Sequence, residues 1–223
     1  MPPKVTVLQL DTHFPRVAGD VACPDTYLGE LEIIRVKTAT VRQIVSNRPE
    51  LIDIKPFESA LDRATGDVIA TSCGFLSYWQ DYLAARTSTL FVSSALIAFD
   101  NLSQVFQPDE VLTLTFDADS LSDKHFGAYA AFRSGVTGLP ADMHLRHVIS
   151  NDLEKLDVDL ARKELVDFIA TKHQTQHKHL VLECTNLPPY KATLRRETGL
   201  NITDILTCIE AVQQGSVKPK FLS

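Results

Sequence analysis

The chain has 223 residues, 44% hydrophobic and 22% charged, with a net charge of −6, an ordinary balance for a globular protein. Acidity without any basic block argues against nucleic acid or an anionic membrane as partner, and no apolar run reaches the roughly 18 residues of a membrane span. Met1-Pro2-Pro3-Lys4 lacks the layout of a signal peptide, so the four cysteines are expected to be reduced thiols of a cytoplasmic protein.

In chain order, residues 5–10 form an almost unbroken apolar strand, followed by a long loop to Tyr27 punctuated by Pro15, Gly19 and Pro24. Long loops in compact domains are usually functional. A second strand over 31–37, a short helix over 41–47 and a helix over 57–64 lead to the apolar run 67–70. Thr71-Ser72-Cys73-Gly74 comes next and a helix is predicted over 75–86. Further on, the pattern predicts a strand over 89–93, a helix over 95–107 and a strand over 110–116. A helix over 122–132, a Gly-rich turn through Gly135 and Gly138, and a short strand over 145–150 follow. Asp157 caps a helix to Lys172, with Leu160, Leu165, Phe168 and Ile169 facing inward. A strand over 179–182 precedes Glu183-Cys184-Thr185-Asn186-Leu187-Pro188-Pro189. A helix stopped by Gly199 follows, then an edge strand or turn over 201–205, and a final helix over 205–214.

Strands and helices alternate throughout, which predicts an α/β fold with parallel sheets. The pattern breaks near Ser93-Ser94. Residues 1–94, with about 200–223 returning, make one half, and 95–199 make the other. Cys73 and Cys184 stand at matched places in these halves, each at the carboxyl end of a strand and just before a helix. Open α/β sheets bind their ligands there, and a helix N-terminus favours thiolate. Cys208 lies within a helix and reads as packing, and Cys23 lacks the strand-to-helix setting.

The segments Thr71-Ser72-Cys73-Gly74 and Glu183-Cys184-Thr185-Asn186-Leu187-Pro188 resemble the paired thiol motifs of the cofactor-independent aspartate/glutamate/hydantoin racemase superfamily. Leu8-Gln9-Leu10-Asp11-Thr12 resembles that family's first strand and acidic loop. The resemblance implies two flavodoxin-like halves related by a pseudo-twofold, with the site in the cleft between them. It also implies racemisation or epimerisation of a small carboxylic acid, such as an amino acid or a hydantoin, with no cofactor or metal.

The residues suit that chemistry. Inverting a carbon beside a carboxylate needs a base on one face and an acid on the other, roles that Cys73 and Cys184 can exchange. Asp11, Thr71, Ser72, Gly74, Phe75, Thr185 and Asn186 are the expected substrate-binding residues, the backbone amides after each cysteine holding the carboxylate. Gly74 and Asn186 depart from the family pattern, and the first loop is not glycine-rich. Arg16 or Arg35 could bind a second carboxylate, but each reads first as a solvated arginine. Alternatives are a decarboxylase or cis–trans isomerase of the same superfamily, a cysteine hydrolase with Cys73 as nucleophile and His144 or His147 as base, and a non-catalytic acid-binding protein. The His173-His177-His179 cluster reads as a helix end. A second copy of the chain, as a homodimer, is the one protein partner considered.

Overall fold

The computed structural model describes every residue from Met1 to Ser223. Eight strands form two four-stranded parallel sheets. The first contains β1 (Val5–Leu10), β2 (Leu31–Val36), β3 (Val68–Thr71) and β4 (Leu90–Val92), in the order β2-β1-β3-β4. The second contains β5 (Val111–Thr115), β6 (Val136–Gly138), β7 (His179–Leu182) and β8 (Asn201–Asp204), in the order β6-β5-β7-β8. Each sheet therefore runs second-first-third-fourth, one topology used twice. The two similar α/β halves are those expected from the alternation of elements.

The central strands explain the apolar runs. β1, β3, β5 and β7 are buried at every position, since each has a strand on both sides and cover on both faces. The edge strand β2 alternates at its end, exposing Ile33 and Arg35 while burying Ile34 and Val36. A 45-residue apolar cluster runs through both halves, from Leu8 and Phe57 to Leu165 and Leu194.

The chain returns to the first half through the helix Ile205–Val212. Ile205, Leu206, Cys208 and Ile209 pack with Val5, Val7, Val68, Ala70 and Val92 in a second core of 13 residues. At about 1.5–3 kcal/mol per buried aliphatic side chain, this helix contributes substantially to the first half. β8, including Asn201–Asp204, belongs to the second sheet, so the return begins at Ile205. Asp204 caps the returning helix through the Thr207 amide and is paired with buried Lys191 at 2.7 Å.

Five local expectations are corrected. Residues 145–150 are part of a helix, His144–Ser150, because Leu145, Val148 and Ile149 repeat at helical spacing and are all buried. The predicted turn at 136–138 is β6, paired Thr113 to Val136. The predicted helices over 75–86 and 95–107 both begin as 3-10 turns, at Gly74–Trp79 and Ala95–Ala98, and the α-helical parts are only Gln80–Ala84 and Phe99–Leu102. In the first, Phe75, Tyr78 and Trp79 are poor helix formers. On the helix Val158–Lys172, Ala161 is buried and Leu160 is exposed.

Candidate active site

β3 and β7 hold equivalent places in the two sheets, and each is followed two residues later by a cysteine. Cys73 and Cys184 line the same cleft between the halves, with Leu10, Phe14, Phe116 and Ile149 as apolar walls. The cleft offers about 30 Å³ to the centre of a water molecule. That is room for about two waters. The thiols are 8% and 6% exposed.

Most of the expected binding residues gather here. Ser72, Gly74, Phe75, Thr185 and Asn186 all line the cleft. Ser72 Oγ accepts from the Leu10 amide at 2.9 Å, and Thr185 Oγ1 donates to the Ser72 carbonyl across the halves at 2.7 Å. Asn186 Nδ2 donates to Asp20 Oδ2 at 2.7 Å, while its Oδ1 lies 3.8 Å from Cys184 Sγ. Two expected residues are placed elsewhere. Thr71 Oγ1 is bonded to the carbonyls of Ser93 and Cys73 at 2.6 and 3.0 Å, locking the end of β3 against β4. Asp11 accepts from the Thr38 amide at 3.3 Å and faces Arg35 at 3.9 Å, outside the cleft lining.

The electrostatics correct one expectation. The thiols were expected to be drawn toward thiolate by helix N-termini, but only 3-10 turns follow them, at Gly74–Trp79 and Pro188–Tyr190. Burial and the Glu183 charge push Cys73 up to about 12 and Cys184 further still. The Phe75 and Asn186 amides oppose this at Cys73 and Cys184 respectively, and Arg16 helps at Cys73. Near neutral pH both groups are therefore thiols.

Two residues were missed. Arg16, read as solvated, has a side chain only 10% exposed and lines the cleft. Its Nη1 lies 3.3 Å from both Asp20 carboxylate oxygens, and its Nη2 donates to Thr12 Oγ1 at 3.1 Å. Glu183 was quoted in the second motif and given no role. It is fully buried and lines the cleft, with Oε2 accepting from Thr115 Oγ1 at 2.6 Å. Burial holds its carboxyl up at about 7.

Glu183 also explains Gly74. A Cβ at position 74 would stand 2.2 Å from Glu183 Oε1 and 2.4 Å from the Glu183 carbonyl oxygen. Glycine follows the first cysteine because the glutamate before the second one fills that space.

No histidine lines the cleft. His144 Nε2 accepts from the Asp157 amide and His147 pairs with Asn151, which removes the proposed base of a cysteine hydrolase. His173 and His177 stack at 6.1 Å, and no group of three or more His, Cys, Asp or Glu is placed to hold a metal ion. No helix is long and apolar enough to cross a membrane.

Two matched sheets meeting at a cleft with one thiol from each form a fold shared with solved racemases and a decarboxylase. Solved structures with this fold include glutamate racemase from Campylobacter jejuni subsp. jejuni, 17% identical, covering 97% of this chain and 88% of that one at a TM-score of 0.53. Allantoin racemase from Pseudomonas fluorescens is 9% identical, with 98% and 95% covered and a TM-score of 0.56. Unliganded arylmalonate decarboxylase is 13% identical, with 90% and 86% covered and a TM-score of 0.53. At such identities the fold is shared and nothing finer follows.

No family model matches the chain. The curated relatives it matches are lyases. A dimethylsulfoniopropionate lyase from Durusdinium sp. clade D is 27% identical over 232 residues, 96% of this chain and 76% of that protein. Dimethylsulfoniopropionate lyase 5 from Emiliania huxleyi is 28% identical over 239 residues, 98% of this chain and 47% of that protein. The chain thus spans three-quarters of the first relative and about half of the second. This overturns the expectation of an amino-acid racemase or epimerase: the sequence relatives break a bond, and the racemases share only the fold.

Proposed function

We propose that the chain is a lyase that eliminates dimethyl sulfide from dimethylsulfoniopropionate. The observation that carries this reading is the match over nearly the whole chain to lyases of that name, in a fold where both motif thiols face one cleft. The substrate is a propionate with a dimethylsulfonium group on its β-carbon. A base removes an α-proton, the C–H electrons become the α,β double bond, and the C–S bond breaks with its electron pair leaving on sulfur. The products are propenoate, dimethyl sulfide and a proton that returns to water.

The residues of the cleft suit these steps. A thiolate of Cys73 or Cys184 is the base, its charge steadied by the Phe75 or Asn186 amide. Both thiols are held high in the empty cleft. The substrate brings a permanent positive charge, which favours a neighbouring thiolate. Phe14, Phe75 and Phe116 supply apolar surface for the two methyl groups and exclude water. Elimination needs one base on one face, whereas racemisation needs two.

The test is release of dimethyl sulfide into the headspace, measured by gas chromatography with propenoate appearing in equal amount. Cys73→Ser and Cys184→Ser are expected to lose activity unequally, the base variant by at least about 10²–10⁴-fold. No dimethyl sulfide from the intact protein, or undiminished release from the double variant, overturns the proposal.

A further inference from the structure

The cleft holds two buried polar atoms without partners, and they are opposite in kind. Arg16 Nε has no acceptor and Glu183 Oε1 has no donor, and both residues line the same small cavity. The two side chains do not satisfy each other. Arg16 is committed to Asp20 and Thr12 through its Nη atoms, and Glu183 has one partner, Thr115. Burying a polar atom unpaired costs about 1–3 kcal/mol, more for a charged group. A ligand in the cavity that both residues line would supply the missing partners.

The surroundings specify that ligand. Arg16 is already paired with Asp20, so no lining cation is left to offset Glu183. No lysine or histidine stands among the lining residues. Gly74 maintains the arrangement, since any side chain there would collide with Glu183 Oε1. A carboxylate ligand alone would meet Arg16 Nε and leave Glu183 facing nothing.

We infer that the cleft recognises a zwitterion by its two ends, the carboxylate at Arg16 Nε and a quaternary or tertiary onium group at Glu183 Oε1, which makes Glu183 the residue that selects the cation. This rests on the proposed lyase reading for the identity of the onium as a sulfonium. It goes beyond that reading in assigning the charge pair and the orientation. The acceptor is not met by a hydrogen-bond donor because the ligand's positive end has none. Its attraction is electrostatic, and it is strengthened by the low dielectric of a site that excludes water.

The test uses two unreactive probes of the same shape: zwitterionic 3-(trimethylammonio)propionate and its carbon isostere, 4,4-dimethylpentanoate, which keeps the carboxylate and lacks the positive charge. Their affinities are measured by calorimetry at pH 8 for the intact protein and for Glu183→Gln. The intact protein is expected to bind the cationic probe at least about tenfold more tightly. In Glu183→Gln that ratio is expected to fall to within about twofold. Equal binding of both probes by the intact protein, binding of neither, or a ratio that survives in Glu183→Gln overturns the inference. Because the first comparison needs no variant, it stands even if Glu183→Gln does not fold. The two readings fail separately. A cation preference without dimethyl sulfide release removes the lyase and keeps the subsite, whereas release without preference does the reverse.

Discussion

Glu183→Gln has a consequence for stability that is separable from binding. The Glu183 carboxyl is held at about 7 against an ordinary 4.5, by burial and against the pull of the Thr115 hydroxyl. A raised carboxyl binds its proton more tightly in the folded chain than in the unfolded one. Its contribution is therefore fully present below about pH 4.5 and lost as pH rises through about 7. At 1.36 kcal/mol per pH unit, ionising Glu183 costs the empty protein about 3 kcal/mol by pH 8. Glutamine keeps the shape and cannot ionise. Glu183→Gln should thus gain about 3 kcal/mol on the intact protein between pH 4.5 and pH 8, roughly 6–12 °C in melting temperature for a chain of this size. Urea unfolding of both proteins across that range measures the difference directly, and other buried acids such as Asp204 cancel because both proteins retain them. A stability difference independent of pH would refute the argument, since it would mean that Glu183 does not titrate in this range.

Gly74→Ala should destabilise by about 1–3 kcal/mol through overpacking, because one of its two closest contacts, at 2.4 Å, is backbone oxygen that has little freedom to move. Combining it with Glu183→Ala, which removes only the 2.2 Å side-chain contact, should restore part of that loss in a double-mutant cycle by denaturant unfolding; strict additivity would show that the two residues do not share the space. Cys73 and Cys184, held at about 12 and above, should react with iodoacetamide at pH 8 far more slowly than an unhindered cysteine does, as read by mass spectrometry of the native protein. Rapid labelling at neutral pH would contradict the buried, protonated state.

Much of the fold was legible because parallel central strands are apolar along their whole length. β1, β3, β5 and β7 stand out in the sequence, as do the cysteines after two of them. Short segments were harder. His144–Ser150 and a strand share the same apolar composition, and only the spacing of Leu145, Val148 and Ile149 tells them apart. β6 is three residues of Val136-Thr137-Gly138 whose pairing with β5 comes from tertiary contact. At the site, the thiols were readable from their strand-end setting, but Arg16 and Glu183 were not. A charged side chain in a loop gives no sign of burial, and Arg16 is buried by Asp20, Thr12 and the ring of Phe14, 4.3 Å from its guanidinium. Glu183 could have been suspected, as an acidic residue directly continuing a fully buried strand. The glycine that makes room for it lies 109 positions away in the sequence, a coupling visible only in three dimensions.

The returning helix sets the order in which the molecule can be made. The second sheet, β5 to β8, is drawn from one uninterrupted stretch, Val111 to Asp204, and its strands are all available once that stretch has left the ribosome. The first sheet is complete in its strands by Val92, yet the layer that covers one of its faces, with Ile205, Leu206, Ile209 and Val217, is translated only after the whole second sheet. The amino-terminal half must therefore wait with an apolar face uncovered while the later half assembles. During synthesis this half is the one exposed to aggregation, and a chain arrested before residue 205 would carry a finished second half beside an unfinished first.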